Sequence, residues 1–359
     1  MKLVLLAGDG IGPEISAATR VVLDAVVDRF GLPIEIEEDL MGHASLAKYG
    51  ATITEAVLDK VRAADGLILG PAATFDFKDA SRGEINPSMF FRKRLDLFAN
   101  IRPSRTYEGV PSKVGPFDLV VVRENTEGFY ADRNMESGGG EVLVTADVAI
   151  AIRRITRHCC ERIARAAFEL ARSRRKRLTF VHKANVLKVS DGMFLDICRS
   201  VAKEFPDVET DDYLVDAMMA HVIRAPHRFD VIVTTNMYGD ILSDLTAELS
   251  GSLGLGGSIN AGTEYAMAQA SHGSAPDIAG RDIANPISLI LSTAQMLDWY
   301  GRRRNDNRYV QAADAIGAAV EAAVRTGQAT RDVGGKLGTA ATAAAIAALL
   351  QRPDLVGAA

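Results

Sequence analysis

Phe229-Asp230-Val231-Ile232-Val233-Thr234-Thr235-Asn236-Met237-Tyr238-Gly239-Asp240-Ile241-Leu242-Ser243-Asp244 reads as a strand running directly into a helix. The first half is apolar, β-branched and of strand length. An Asn/Gly break follows, and Ile241, Leu242, Leu245 and Leu249 then recur at helical spacing. Asp240 and Asp244 are expected to open that helix, four residues apart and so on one face. Two carboxylates at that spacing can grip one hard divalent cation. A helix-dipole aspartate beside a solvated one gives the same pattern, so the pair needs support from the rest of the chain.

On the N-terminal side, strand-like and helix-like segments alternate. Leu3 to Ala7 is a strand leading into the glycine turn Gly8-Asp9-Gly10-Ile11-Gly12, with Pro13 suited to a helix start and Gly31 to its end. The glycine spacing is not that of the dinucleotide fingerprint, and a plain tight turn explains it equally well. Ile34 to Glu38 reads as extended, Thr54 to Ala63 as helix and Gly66 to Leu69 as strand. A helix from Asn86-Pro87 carries Phe90 to Leu97. Phe117 to Val122 and Leu178 to Val181 read as strands, and a helix is expected from about Asp147 to Arg172. Another runs from Asp191 to Glu204, and an extended Val208 to Val215 leads into a helix bearing Asp216. Beyond the central stretch lie a helix capped by Asn285-Pro286 and two alanine-rich helices. The alternation is that of an α/β protein.

Length and composition bound the function. A chain of 359 residues, 48% of them apolar, has enough material for one large or two interlocked domains. A net charge of −5 argues against nucleic acid as the main partner, and the basic clusters Arg172 to Arg177 and Arg302 to Arg304 lack interleaved aromatics. Cys159, Cys160 and Cys198 show no metal or redox spacing, which suits reduced thiols and a cytoplasmic location. The first apolar run is too short for a signal sequence, and no stretch is long enough to span a membrane.

Strand ends and helix starts carry Arg92, Arg102, Arg123, Tyr130, Lys183, Asp216, Asp240 and Asp244. In α/β sheets, ligands gather outside the carboxyl ends of strands. Guanidinium groups bind carboxylates through paired hydrogen bonds, so three arginines suit a polycarboxylate. Three aspartates with Mg²⁺ or Mn²⁺ would polarise a hydroxyl or carbonyl oxygen. A lysine beside the cation could act as base and a tyrosine as proton donor. Taken singly, each arginine reads as well as a surface charge, Tyr130 as a packing residue and Lys183 as a solvated strand end. His182, His221 and His272 lack ligand spacing and read as structural.

Taken together, the segments resemble the β-decarboxylating dehydrogenases, the family of isopropylmalate, isocitrate, homoisocitrate and tartrate/D-malate dehydrogenases. The resemblance rests on Gly8 to Glu14, Phe91-Arg92-Lys93, Asn100-Ile101-Arg102-Pro103, Arg123 to Gly128 with Tyr130 and Lys183-Ala184-Asn185. Val215-Asp216-Ala217, Gly239 to Asp244, His272 to Asp277 and Asn285-Pro286 complete it. These stretches span nearly the whole chain in the family's order.

The resemblance implies a two-domain fold, with 1–98 and 252–359 forming a large domain, 99–251 a small one, and the active cleft between them. It also implies a nicotinamide site unlike the usual Rossmann one, and a homodimer in which Lys183 and Asp216 reach into the partner's site. Residue by residue, Arg92, Arg102 and Arg123 would hold the malate carboxylates, and Asp240, Asp244 and the other copy's Asp216 would hold Mg²⁺ or Mn²⁺. Lys183 would take the C2 hydroxyl proton and Tyr130 would protonate C3. Ile11, Thr74, Asn185, His272, Gly273, Ala275, Asp277 and Asn285 would line the cofactor. The acidic Asp277 would favour NAD over NADP by repelling a 2′-phosphate.

Substrate choice in the family is made largely on the helix before Arg92. Here that segment carries Asn86, Ser88 and Met89, with Ile85 and Leu69 nearby in sequence. This mixture tilts the reading to a small or apolar C3 substituent, 3-isopropylmalate first, with isocitrate or homoisocitrate and then tartrate or D-malate as alternatives. Regulatory relatives usually lack a metal aspartate, the lysine or the tyrosine. This chain keeps them all, which favours an enzyme over a non-catalytic subunit.

Overall fold

The structure, a computed structural model, describes residues 1–129 and 140–352. The chain opens with β1 (Lys2–Leu6) and α1 (Gly12–Phe30), which has proline in its first turn and stops at Gly31, φ 59°. Next come β2 (Glu35–Asp39), α2 (Gly42–Tyr49), α3 (Glu55–Arg62) and β3 (Gly66–Leu69), then α4 (Pro87–Arg94), β4 (Ala99–Arg105) and β5 (Asp118–Glu124). β6 (Glu141–Thr145) and β7 (Val148–Ala151) precede α5 (Arg157–Arg172), β8 (Arg177–His182), α6 (Ser190–Ala202), β9 (Glu209–Leu214) and α7 (Val215–Arg224). β10 (Val231–Thr234) and α8 (Asn236–Leu249) form the central stretch. β11 (Ile259–Ala261), β12 (Ala266–Gln269), α9 (Ile287–Arg304), α10 (Asn307–Arg325) and α11 (Thr339–Leu350) follow.

The chain divides into two compact units, one of Met1–Leu95, Thr106–Lys113 and Ser250–Ala359, the other of Asp96–Arg105 and Val114–Leu249. In the first, the strand order is β2-β1-β3-β12-β11, parallel throughout except for the β11–β12 pair. The loop after β1 approaches the loop after β12 closely. Ile11 donates its N–H to the Ser274 carbonyl at 2.8 Å, and a Cβ on Gly10 would lie 1.9 Å from that carbonyl oxygen. Gly10, at φ 59°, is therefore required there.

In the second unit the order is β4-β5-β10-β8-β9, with only the β4–β5 pair antiparallel. Consecutive residues of its strands go to opposite faces, and both faces are covered. Val120 and Val122 pack with Val231, Val233, Leu178 and Phe180 beneath α5 and α6. Leu119 and Val121 pack with Ile232 and Val181 beneath α7 and α8. That two-sided burial is why these strands read as unbroken apolar runs.

Two expectations need correction. The helix expected from Asp147 begins at Arg157, capped by the Thr156 hydroxyl. The preceding Val148–Ala151 is instead a strand, paired with Glu141–Thr145. Val148, Ile150 and Ile152 alternate with period two, which favours a strand. The helix expected to open with Asp240 starts at Asn236, so both aspartates lie inside it. The strand β10 passes into α8 with a single intervening residue, leaving no room for a separate turn.

Candidate active site

The register of β4 on β5 decides where two arginines go. Arg102 pairs with Val121 and Arg123 with Asn100. Val121 points to the α8 face, so Arg123, two residues on, and Arg102, directly across from Val121, share that face. A slip of one residue would turn both away. The helix α8 lies on this face and presents Asp240 and Asp244 one turn apart.

The resulting contacts are dense. Arg123 pairs with Asp240 through Nη1 and donates from Nε to Asn236 Oδ1 at 2.8 Å. Arg102 Nη1 donates to Asp244 Oδ1 at 2.8 Å and to Ser243 Oγ at 2.9 Å, and its Nε donates to Asn100 Oδ1 at 2.7 Å. Arg102 Nη2 also lies 3.5 Å from Asp240 Oδ1. Arg123 is only 2% exposed, and a buried guanidinium stripped of its carboxylate would cost several kcal/mol (about 3–5). Burial pushes the Asp244 carboxyl above its usual range, opposed by Arg102 and reinforced by neighbouring Asp240. Two carboxylates crowded together in this way would be relieved by a divalent cation, and their oxygens are the hard donors that Mg²⁺ or Mn²⁺ prefers. Among the described residues no third His, Cys, Asp or Glu joins them as a metal site.

Lys183 follows β8, its Nζ donating to Asp216 Oδ1 at 2.5 Å; that hydrogen bond holds the Asp216 carboxyl below the usual range. The backbone N–H of Lys183 is held by Asp191 Oδ2 at 2.6 Å. Asp191, fully buried, is itself paired with Arg153. Arg153 further donates to Thr235 Oγ1 at 3.0 Å and covers the Tyr238 ring. His182 serves this turn structurally, accepting from the Ala184 N–H at 3.0 Å with Asp212 3.3 Å from its Nε2. Asn185 lies in the same turn, exposed. Tyr130 lies outside the described residues. The three cysteines are free and buried, and burial pushes the Cys160 thiol up to about 12.

In the first unit, α4 places Asn86, Ser88, Met89 and Arg92. Asn86 is the helix cap, accepting from the Met89 N–H at 3.3 Å. Ser88 and Arg92, one turn apart, both donate to Gln269 at the end of β12. His272 is half-buried; its Nδ1 donates to the Gly273 carbonyl at 3.1 Å, and its buried Nε2 has no partner among the described residues. Burial holds His272 below its ordinary value, so the ring is neutral and Nε2 is an unused acceptor. An adenine amine is the kind of donor that fits it. Ala275 (φ 37°) starts a short turn, Pro276–Ile278, on which Asp277 is exposed. Asn285 is occupied at both ends, accepting from the Ile287 N–H at 2.9 Å and donating to Asp332 at 2.8 Å. Ile11 is a buried residue preceding α1, and Thr74 is exposed.

The resemblance assigned these arginines to substrate carboxylates and these aspartates to a cation, and comparison with known proteins decides the family. Residues 2–349 match the model of the isocitrate/isopropylmalate dehydrogenase family. The chain belongs to that family. A 3-isopropylmalate dehydrogenase of Archaeoglobus fulgidus is 42% identical over 97% of this chain and 99% of its own length. An isocitrate/homoisocitrate dehydrogenase of Thermus thermophilus is 41% identical, with 98% of each chain covered. The crystal structure of isocitrate dehydrogenase from Methylococcus capsulatus superposes with a TM-score of 0.86 at 40% identity, covering 98% of this chain and 99% of that one. As a member of the isocitrate/isopropylmalate dehydrogenase family, the protein is a decarboxylating dehydrogenase.

In the second unit Asn236, Ser243, Asn100 and Asp191 hold these side chains, and in the first Gln269 holds Ser88 and Arg92, yet sequence reasoning assigned none of them a role. Ser243 and Asn236 lie within the stretch quoted first, and helical spacing places Ser243 on the flank of Asp240. Gln269 and Asp191 carry no motif.

Proposed function

We propose that the protein carries out NAD-dependent, metal-dependent oxidative decarboxylation of a 3-substituted malate, with 3-isopropylmalate as the substrate. The observation that carries this is the seating of Asp240 and Asp244 against Arg102 and Arg123, which supplies carboxylate recognition and a hard-cation donor pair on one surface.

In this reading Arg92, Arg102 and Arg123 bind the substrate carboxylates. Asp240 and Asp244, with Asp216 from a second copy of the chain, hold Mg²⁺ or Mn²⁺. When bound, the cation supplies Lewis-acid polarisation of the C2 oxygen. Lys183, from the same second copy as Asp216, would take the C2 hydroxyl proton, and bound NAD would supply the acceptor for the C2 hydride. The C3–carboxylate bond then breaks, its electron pair moves towards the C2 oxygen, CO₂ departs, and Tyr130 returns a proton to C3. His272, Gly273, Ala275, Asp277 and Asn285, with Ile11, Thr74 and Asn185, take the NAD. The unused acceptor on His272 and the acidic Asp277 support an adenosine end without a 2′-phosphate.

Support for the partner comes from β6 and β7. Val142 (49% exposed), Leu143 (72%) and Val144 (54%) are consecutive, so both faces of the ribbon are apolar and open. A lone two-stranded ribbon is marginal in water, and a second copy of the chain is the proposed cover. No helix among the described residues is long and apolar enough to cross a membrane. A small soluble substrate in the cytoplasm suits the reading.

Leu69 and Met89 favour 3-isopropylmalate. Isocitrate or homoisocitrate is the second reading, supported by relatives bearing those names. The test is formation of reduced nicotinamide with Mn²⁺ and NAD⁺ on 3-isopropylmalate, isocitrate, homoisocitrate, D-malate and tartrate in parallel. The expected result is 3-isopropylmalate ahead in kcat/KM; a different leader would replace the substrate. Lys183→Met is expected to lose at least about 10²-fold in kcat with an unchanged Tm. Retained turnover would remove Lys183 as the base.

A further inference from the structure

The basic cluster Arg302-Arg303-Arg304 ends α9, and the structure divides it. Arg302 pairs with Asp298 one turn back at 2.8 Å, the ordinary use of a basic residue at a helix end. Arg303 and Arg304 instead line a cavity of about 290 Å³, together with Arg62, Asp65, Glu264 and Trp299. Asp65 precedes β3 and Tyr265, also in the wall, precedes β12, and these two strands are parallel. The cavity therefore lies at the amino ends of the first unit's strands, whereas Thr74 and His272 follow the carboxyl ends of the same two strands. None of its residues has a part in the chemistry above.

Two of the guanidinium groups are held in place by aromatic rings one turn earlier in the helix. Arg303 lies over Trp299, 4.8 Å from the ring centroid, and has no carboxylate partner among the described residues. Arg304 lies over Tyr300 at 5.5 Å and reaches Asp65 Oδ1 at 3.3 Å; Asp65 is fixed in turn by the backbone N–H of Lys2 at 2.8 Å. Arg62 has its ion pair with Asp59, at 3.7 Å too long for a hydrogen bond. A guanidinium held over a ring is attracted through its charge and keeps its N–H donors for an anion.

We propose that this cavity binds a sugar phosphate: Arg62 and Arg303 take the phosphate, and Glu264 accepts from hydroxyls of the carbon portion. One carboxylate is matched by one guanidinium fork, whereas a phosphate monoester brings nearly two charges and three strong acceptor oxygens, enough for both arginines. Glu264 is exposed and has no partner among the described residues, so its oxygens are open to hydroxyl donors. With Asp65 it would repel a long polyanion such as nucleic acid. The volume stands at the lower end of small-molecule sites, more than a bare phosphate fills.

Trp299 is the only tryptophan in the chain, so its fluorescence reports on this cavity. The test titrates the full chain with ribose 5-phosphate, inorganic phosphate and ribose at an ionic strength held constant with NaCl. Ribose 5-phosphate should give a saturable change in Trp299 emission. Inorganic phosphate should bind at least about threefold more weakly, and ribose alone should give no saturable change. Kd is also measured by calorimetry, because replacing Arg303 alters the surroundings of the fluorophore itself. Arg62→Gln and Arg303→Gln should each weaken ribose 5-phosphate about tenfold or more. Arg302→Gln, which removes as much charge from the same helix end, should stay within about twofold of wild type. Glu264→Ala should erase the preference for the ester over inorganic phosphate. All four side chains are exposed, so the substitutions leave the core intact. Four outcomes overturn the proposal: no saturable change with ribose 5-phosphate, inorganic phosphate bound as tightly as the ester by wild type, an Arg303→Gln variant that binds like wild type, or an Arg302→Gln variant that loses as much as Arg303→Gln.

Discussion

Gly239 and Arg123 stand so close that a Cβ on Gly239 would lie 2.6 Å from the Arg123 Cβ and 2.7 Å from its Cγ. The helix α8 can lie this near to β5 only because residue 239 has no side chain. That approach brings Asp240 to Arg123 and Asp244 to Arg102. Alanine at 239 would gain about 1 kcal/mol in helix propensity but lose about 1–3 kcal/mol to the clash. Gly239→Ala is therefore expected to lower Tm or leave it little changed, and to cut turnover more than tenfold by moving the carboxylates. Wild-type kcat/KM in this variant would show that the close approach is dispensable.

Asp244→Asn separates the cation from the fold. The change keeps the side chain's size and an acceptor for Arg102, but removes one of two crowded charges. Without metal, Tm should change little. With Mn²⁺ added, wild type should gain several degrees and the variant much less, because ligand stabilisation grows with the logarithm of concentration over Kd. Equal gains would take Asp244 out of the cation site.

The central stretch was legible because its strand is buried on both faces and its helix has an apolar stripe. Val120 to Val122 and Val231 to Val233 were readable for the same reason. The strand β4 was not read as one. Its Asn100, Arg102 and Ser104 are buried polar residues, which hides the apolar signal of a strand. β11 and β12 are short and alanine-rich, giving little β-propensity to detect. The site residues followed a similar rule. Those in motifs could be named in advance, but Asn236 against Arg123 depends on the β4–β5–β10 register, and Gln269 on the placement of α4 against β12. Neither is local in sequence. The stretch before α5 misled because a helical run and a period-two run lie end to end, and only the Thr156 cap divides them.

His272 should make stability depend on pH. Burial lowers its folded value below 6.5. Between that lowered value and 6.5 the unfolded chain binds more protons than the folded one, so the stabilisation is complete above 6.5 and is lost as pH falls through the window. Melting curves from about pH 7.5 down to about pH 5 should show a decline that His272→Gln reduces. NAD⁺ should protect the wild type more than the variant at the higher pH, where the neutral ring offers its acceptor. Parallel declines in the two proteins would place the titration elsewhere.

The dimer proposed above would be made through the β6–β7 ribbon. Leu143 and Val142 lie across from Ala149 and Ile150, and adjacent residues point to opposite faces, so covering one face alone would leave apolar side chains in water. A second ribbon and its flanking surface from another copy would satisfy both. Wild type should therefore sediment at twice the chain mass. Leu143→Asp combined with Ile150→Asp puts a charge on each face and should shift the protein to monomer. Turnover should fall with it, since Asp216 is assigned to the neighbouring copy's cation. The Tm of the monomer should show little dependence on the Asp244→Asn change in Mn²⁺, because the ligand set is already incomplete. A wild type that is monomeric and fully active, or a monomeric variant with undiminished turnover, would mean that each chain completes its own site and that the exposed ribbon has another use.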